Sequence, residues 1–277
     1  MEQHTTFITK FMKFTTITLN SEGPVASVTL SRPEVHNAFN AAMVAELREC
    51  FAALADEDSI RTVVLTGSGN SFCAGADLNW MQASLSWTRE QNIADAKELA
   101  AMFETIWTLP KPLIGRINGR ALGGGVGLIA CCDIAIAIDT ARLGFSEVKL
   151  GLIPAVISQY VVPKIGLSQA RALFISGERF TAERAFEINL VHAVTTEEEL
   201  DTTVNSIVKR LLSSAPKASG ATKRLIDAVW SLEREAGQRY VIEAIADART
   251  SAEGQEGLRA FLEKREPKWI EESRGRG

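Results

Sequence analysis

Three segments of this chain, each placed after an apolar strand-like run, carry the residue types that could do chemistry. In Ile117-Asn118-Gly119-Arg120-Ala121-Leu122-Gly123-Gly124-Gly125-Val126-Gly127, the apolar run from Pro112 to Ile117 leads into a glycine-dense turn. The turn opens into Leu128-Ile129-Ala130-Cys131-Cys132, which has the apolar density of a buried helix. Glycines at such a junction let backbone N–H groups approach a ligand closely, where the helix N-terminus adds partial positive charge. That arrangement suits a phosphate or a developing oxyanion equally well. A second turn, Asn70-Ser71-Phe72-Cys73-Ala74-Gly75-Ala76-Asp77-Leu78, follows the strand-like Arg61 to Thr66. A third segment, Leu143-Gly144-Phe145-Ser146-Glu147-Val148-Lys149-Leu150-Gly151-Leu152-Ile153-Pro154, holds the carboxylate Glu147 between apolar neighbours. A partly apolar setting raises a carboxyl pKa toward a useful acid–base range.

The elements that must position these turns alternate between strand and helix patterns. Thr15 to Leu19 and Ala26 to Leu30 alternate as half-buried strands, with a turn over Asn20 to Pro24. Met43, Leu47 and Phe51 recur at four-residue steps and predict a helix from Ala41 to Leu54. A strand at Val63, a long helix from Arg89 to Trp107, the Leu113 strand and a strand over Ile134 to Ile138 follow, so the core is α/β. Beyond about Thr195 the pattern is helical without strands, with Ala215-Pro216 separating an acidic helix from those after it.

Composition narrows the partners. Of 277 residues, 46% are hydrophobic and 23% charged, ordinary for a globular protein. No apolar stretch reaches the roughly 18 residues of a membrane span. Met1 to Lys13 lacks a continuous apolar region and reads as an N-terminal extension rather than a secretory signal. Cys50, Cys73, Cys131 and Cys132 show no zinc-ligand spacing and read as buried reduced thiols in a reducing cytoplasm. His4, His36 and His192 are too scattered for a metal cluster, and no metal is expected. A net charge of −4, with no basic stripe and two tyrosines, argues against nucleic acid as the partner.

Taken together, the three motifs resemble the enoyl-CoA hydratase/isomerase (crotonase) superfamily in order and spacing, over nearly the whole chain from about Phe14 to Arg265. The resemblance implies a spiral of repeated ββα units over residues 14–200. It also implies a C-terminal helical region over 201–277 that builds a homotrimer or a hexamer. The substrate would be an acyl-CoA thioester, with no separate cofactor. An oxyanion hole would be formed by the N–H groups of Ala76 and Gly124, with Glu147 as the acid/base. Loss of one such donor costs about 3 kcal/mol in the transition state. Val35, Asn37 and Ala38 would lie along the nucleotide part of CoA, and the backbones of Ala74, Asp77 and Leu78 would hold its adenine end. Phe261 and Lys264 would reach CoA from a neighbouring subunit.

One position departs from the family. Its typical hydratases carry a first glutamate three residues after the central glycine, where this chain has Gly127. Gly127 together with Ile153 to Val162 resembles a bacterial branch containing methylglutaconyl-CoA and isohexenylglutaconyl-CoA hydratases. The branch implies hydration of a branched, carboxylated enoyl-CoA, with Arg120 or Lys149 offering a cation and Trp80 and Met81 lining the acyl tunnel. A single acid/base also permits Δ3,Δ2-enoyl-CoA isomerisation. Acyl-CoA binding without turnover, and the RNA binding linked to one relative, are the non-enzymic alternatives.

Overall fold

The computed structural model describes residues 13–270. The N-terminal extension read from the sequence, His4 included, lies outside them except for Lys13, as do residues 271–277. A six-stranded sheet forms the centre in the order β1 (Ile17–Glu22), β2 (Val25–Leu30), β3 (Thr62–Gly67), β5 (Leu113–Ile117), β7 (Ile134–Ile138) and β10 (Ala193–Thr195). Within this sheet, among the described residues, only the β1–β2 pair is antiparallel. A smaller sheet runs β4 (Ser71–Cys73), β6 (Arg120–Leu122), β8 (Arg142–Gly144) and β9 (Arg179–Thr181). The successive pairs β3/β4, β5/β6 and β7/β8 each supply a longer strand to the first sheet and a three-residue strand to the second. The mixed α/β architecture expected from the alternating pattern is the one observed.

Local chemistry explains the elements. In β2, Ala26, Val28 and Leu30 alternate inward, as the period-two pattern requires. Helix α1 (Ala41–Asp56) buries Met43, Leu47 and Phe51 along one stripe, and the Asn40 side chain caps it by accepting from Met43 N–H at 2.8 Å. Between β4 and β5 come the short α2 (Leu78–Ser84) and the long α3 (Arg89–Trp107). The latter opens with a reciprocal capping box between Thr88 and Gln91.

Two boundaries differ from the sequence expectation. The first hairpin turns tightly at Gly23-Pro24, so Asn20 to Glu22 are strand, with Glu22 opposite Val25. Thr15 and Thr16 lie outside β1 and are instead clamped by Glu46 of α1, whose two carboxylate oxygens accept from both backbone N–H groups and both hydroxyls. Helix α4 (Gly124–Cys131) starts at Gly124 rather than at Leu128, so the glycines form its first turn. Their missing side chains let that turn sit against β4 and β6.

After β8, a 3-10 turn over Glu147–Leu150 leads into α5 (Ala155–Ser176), which is broken at Gly166 (φ 74°), after Pro163. Then follow α6 (Ala182–Glu187), α7 (Glu197–Ser213), α8 (Pro216–Ser231), α9 (Arg234–Thr250) and α10 (Ala252–Leu262). Leu200, Val204, Ile207 and Val208 of α7 join the main core, so the boundary expected near residue 200 falls inside a core helix. The helices set apart from that core begin with α8, where Gly220 is the buried residue.

Candidate active site

Ala76 sits in a one-residue parallel bridge with Phe39. Phe39 N–H donates to the Gly75 carbonyl at 2.6 Å and Asp77 N–H donates to the Phe39 carbonyl at 2.8 Å. This ladder consumes the amides flanking the bridge and leaves the Ala76 N–H without an acceptor among the described residues. Gly124 is the first residue of α4, so its N–H is one of the donors that no helix can satisfy internally.

The two turns meet directly. Gly75 adopts φ 88°, and a Cβ built there would stand 2.8 Å from the Leu122 carbonyl oxygen and 3.7 Å from the Gly124 nitrogen. Gly123 adopts φ 50°, and a Cβ there would stand 3.0 Å from Glu147 Oε1 and 3.8 Å from Oε2. Glycine is required at both positions, by backbone conformation and by the closeness of the neighbouring chain. The consequence is a shared locus for two unpaired N–H donors and one carboxyl group.

Glu147 opens the 3-10 turn after β8. Burial raises its pKa above the ordinary glutamate value, only partly offset by a hydrogen bond from its own backbone. Its Oε2 is buried without a hydrogen-bond partner among the described residues. A carboxyl group so placed is available to take and return a proton.

The loop Arg32 to Asn40 frames this locus, in a way the motifs did not show. Arg32 Nη2 pairs with Asp77 Oδ2 at 2.7 Å, while Nη1 donates to the Ala38 carbonyl at 2.6 Å. Burial opposes ionisation of Asp77, which is 3% exposed, but the bonds from Arg32 and Asn79 hold its carboxyl below the usual range. Asp77 also caps α2 through Asn79 N–H. Arg32, Asn40, Ala41, Ala42, Asp77, Asn79 and Trp80 line an open groove of about 350 Å³ between the start of α1 and the start of α2.

Several expected contacts take a different form. Asn37 is fully buried; its Nδ2 donates to the Ser68 and Ser71 carbonyls and its Oδ1 accepts from Arg32 N–H, leaving the side chain no capacity for a nucleotide. The amides of Val35 and Ala38 are spent within the same loop. Ala74 N–H donates to the His36 carbonyl and Asp77 N–H to Phe39, so neither amide is left for an adenine; the Asp77 carbonyl accepts from Met81 N–H, and the Ala74 carbonyl and the exposed Leu78 remain. Trp80 donates its indole N–H to Asp95 Oδ1 at 3.1 Å, which ties α2 to α3. Lys149 lays its stem over Gly177 at the end of α5. Arg120 lies in β6 with a buried, unpartnered Nε. Phe261, 81% exposed, and Lys264, in left-handed backbone, end α10 without side-chain hydrogen bonds to the described residues.

The space at Gly127 is filled. A Cβ there would overlap Ile157 Cγ2 and stand 3.0 Å from both Ile157 Cβ and Phe103 Cε1. Nothing in the local sequence signals this, because Phe103 and Ile157 come from α3 and α5. All four cysteines are free and buried, as their apolar settings predicted.

Comparison with known proteins gives the family and the fold. The family model described as enoyl-CoA hydratase/isomerase matches residues 20–272. A crotonyl-CoA hydratase of Syntrophomonas wolfei is 32% identical, over 94% of this chain and 99% of that protein. The crystal structure of an enoyl-CoA hydratase from Shewanella pealeana superposes with a TM-score of 0.89 at 39% identity, covering 93% of this chain and 97% of the other. Pseudomonas aeruginosa AtuE superposes equally well, at 36% identity over 92% of this chain and all of that one.

Proposed function

Because the chain belongs to the enoyl-CoA hydratase/isomerase family, we propose that it adds water to a 2-enoyl-CoA thioester, with Glu147 as the acid/base and the Ala76 and Gly124 N–H groups as the oxyanion hole. The observation that carries this reading is the meeting of those two unpaired donors with one burial-raised carboxyl group. The Glu147 carboxylate takes a proton from water as the hydroxyl adds to Cβ. The Cα=Cβ pair forms a double bond between Cα and the carbonyl carbon while the C=O pair moves onto the thioester oxygen, where the two amides hold the charge. The protonated Glu147 then returns its proton to Cα, so H and OH are added and Glu147 is regenerated. CoA is part of the substrate, and no other cofactor enters. The hydratases among its relatives support this direction of chemistry.

The acyl group of this reading is branched and carboxylated, of the 3-methylglutaconyl type. Gly127, the segment from Ile153 to Val162 and the unpartnered Arg120 Nε support it. Loss of conjugated enoyl-thioester absorbance, compared across crotonyl-, 3-methylglutaconyl- and 3-enoyl-CoA, tests it. Fastest turnover of 3-methylglutaconyl-CoA is expected; appearance of conjugation from 3-enoyl-CoA without a hydroxyacyl product would establish the isomerase instead. The sealed space at Gly127 favours that second reading, since no second acid holds the water. The assembly is a homotrimer or a pair of trimers, through the apolar faces of α8 to α10, and the buried free thiols suit the cytoplasm.

A further inference from the structure

We infer that Ile157, braced by Phe103, is the residue that confines this active site to a single carboxyl group, and that it is coupled to Gly127 as one specificity element. Gly127 lies inside α4 with ordinary helical backbone, so no torsion angle requires glycine there. Glycine in a helix interior is destabilising relative to alanine. The reason for it is therefore space. Any side chain must begin with a Cβ, and at this position that atom would overlap Ile157 Cγ2 and crowd Phe103 Cε1.

The obstruction cannot easily yield. Ile157 is 3% exposed and Phe103 is fully buried. The Phe103 ring is stacked on Tyr160 at 5.7 Å and meets Phe39 edge-on at 6.2 Å. Tyr160 is in turn packed on Trp107 and anchored through its hydroxyl to Glu104 Oε2 at 3.1 Å. Phe39 fills the space beside Gly124, where a Cβ would stand 2.6 Å from its Cε2. A packed aromatic wall thus spans α1's leading loop, α3 and α5, and its apolar atoms occupy the ground from which a second acid would enter. In close-packed interiors such volume is not vacated on demand.

The coupling is tested by the set Gly127→Ala, Ile157→Ala and the double variant, in the full-length protein. Gly127→Ala alone is expected to lower Tm by roughly 5 °C. In the Ile157→Ala background the Cγ2 overlap is gone and only the 3.0 Å approaches to the residue-157 Cβ and to Phe103 Cε1 remain, so the same change is expected to lower Tm by clearly less. An equal loss in both backgrounds, or none in the wild type, overturns the inference. The chemical consequence, which rests on the hydratase reading, is read with Gly127→Glu/Ile157→Ala. Its pH–rate profile for enoyl-thioester hydration is expected to show a second titrating group absent from Ile157→Ala, whereas Gly127→Glu alone loses folded protein. A Gly127→Glu enzyme with wild-type Tm and that second group would show that Ile157 excludes nothing. The thermal cycle decides the packing claim even if neither enzyme hydrates a substrate.

Discussion

At the residue scale, the proposed site consists of one side chain and two backbone donors, with Gly75 and Gly123 held in left-handed backbone against the neighbouring chain. Glu147→Gln retains the shape but cannot accept a proton, so turnover is expected to fall by about 10²- to 10⁴-fold in a hydration assay. In the proposed mechanism Glu147 is ionised when it activates water, so the wild-type rate should rise with pH through a pKa above that of an ordinary glutamate. The same raised pKa fixes a stability sign. The folded state holds this proton more tightly than the unfolded chain, so the stability it contributes is lost as pH rises through the folded pKa. Glu147→Gln should therefore melt above the wild type at neutral pH, with the gap closing as pH falls through the raised folded pKa and closed below about 4.3; a variant melting lower at pH 7 would contradict the buried, unpartnered Oε2. Asn37 acts by another route. Asn37→Ala leaves the Ser68 and Ser71 carbonyls without their donor and should cost about 2–3 kcal/mol in denaturant unfolding.

At the element scale, short strands do most of the positioning. The ends of β4, β6 and β8 deliver Ala76, Gly124 and Glu147 to one place because the three strands pair side by side in parallel. None of these three-residue strands is long enough to show a period in sequence, whereas β2, α1 and α3 are. The N-terminal edge depends on a polar clamp between Thr15, Thr16 and Glu46. Burial opposes ionisation of Glu46, yet four donors from the two threonines hold its pKa below the ordinary value. The stability this contributes is present above about pH 4.3 and lost as pH falls through the folded pKa. The Tm difference between wild type and Glu46→Gln should accordingly be largest near neutrality and vanish in acid, as followed by circular dichroism.

At the scale of the whole molecule, the outstanding feature is apolar surface on the last helices. Trp230 is 78% exposed, with Ile226 and Val229 beside it on α8 and Ile242, Ile245, Leu258, Phe261 and Leu262 on the two helices that follow. Exposed apolar side chains gathered on neighbouring helices suit an interaction surface. Light scattering should give a mass that is a multiple of three 30.1 kDa chains, and Ile226→Glu/Trp230→Glu should reduce it. An unchanged mass for that variant would place the interface elsewhere.

The chain's own order of residues determined the alternating strands and helices, the two glycine turns and the isolated glutamate, because each is a local pattern of period, backbone freedom or flanking polarity. Tertiary structure alone decided that Asn37 is an internal brace, that Arg32 neutralises Asp77 and that Ile157 and Phe103 close the space over Gly127. Those are contacts between residues tens of positions apart, and their energies depend on which atoms share a volume. No periodicity along the chain records that.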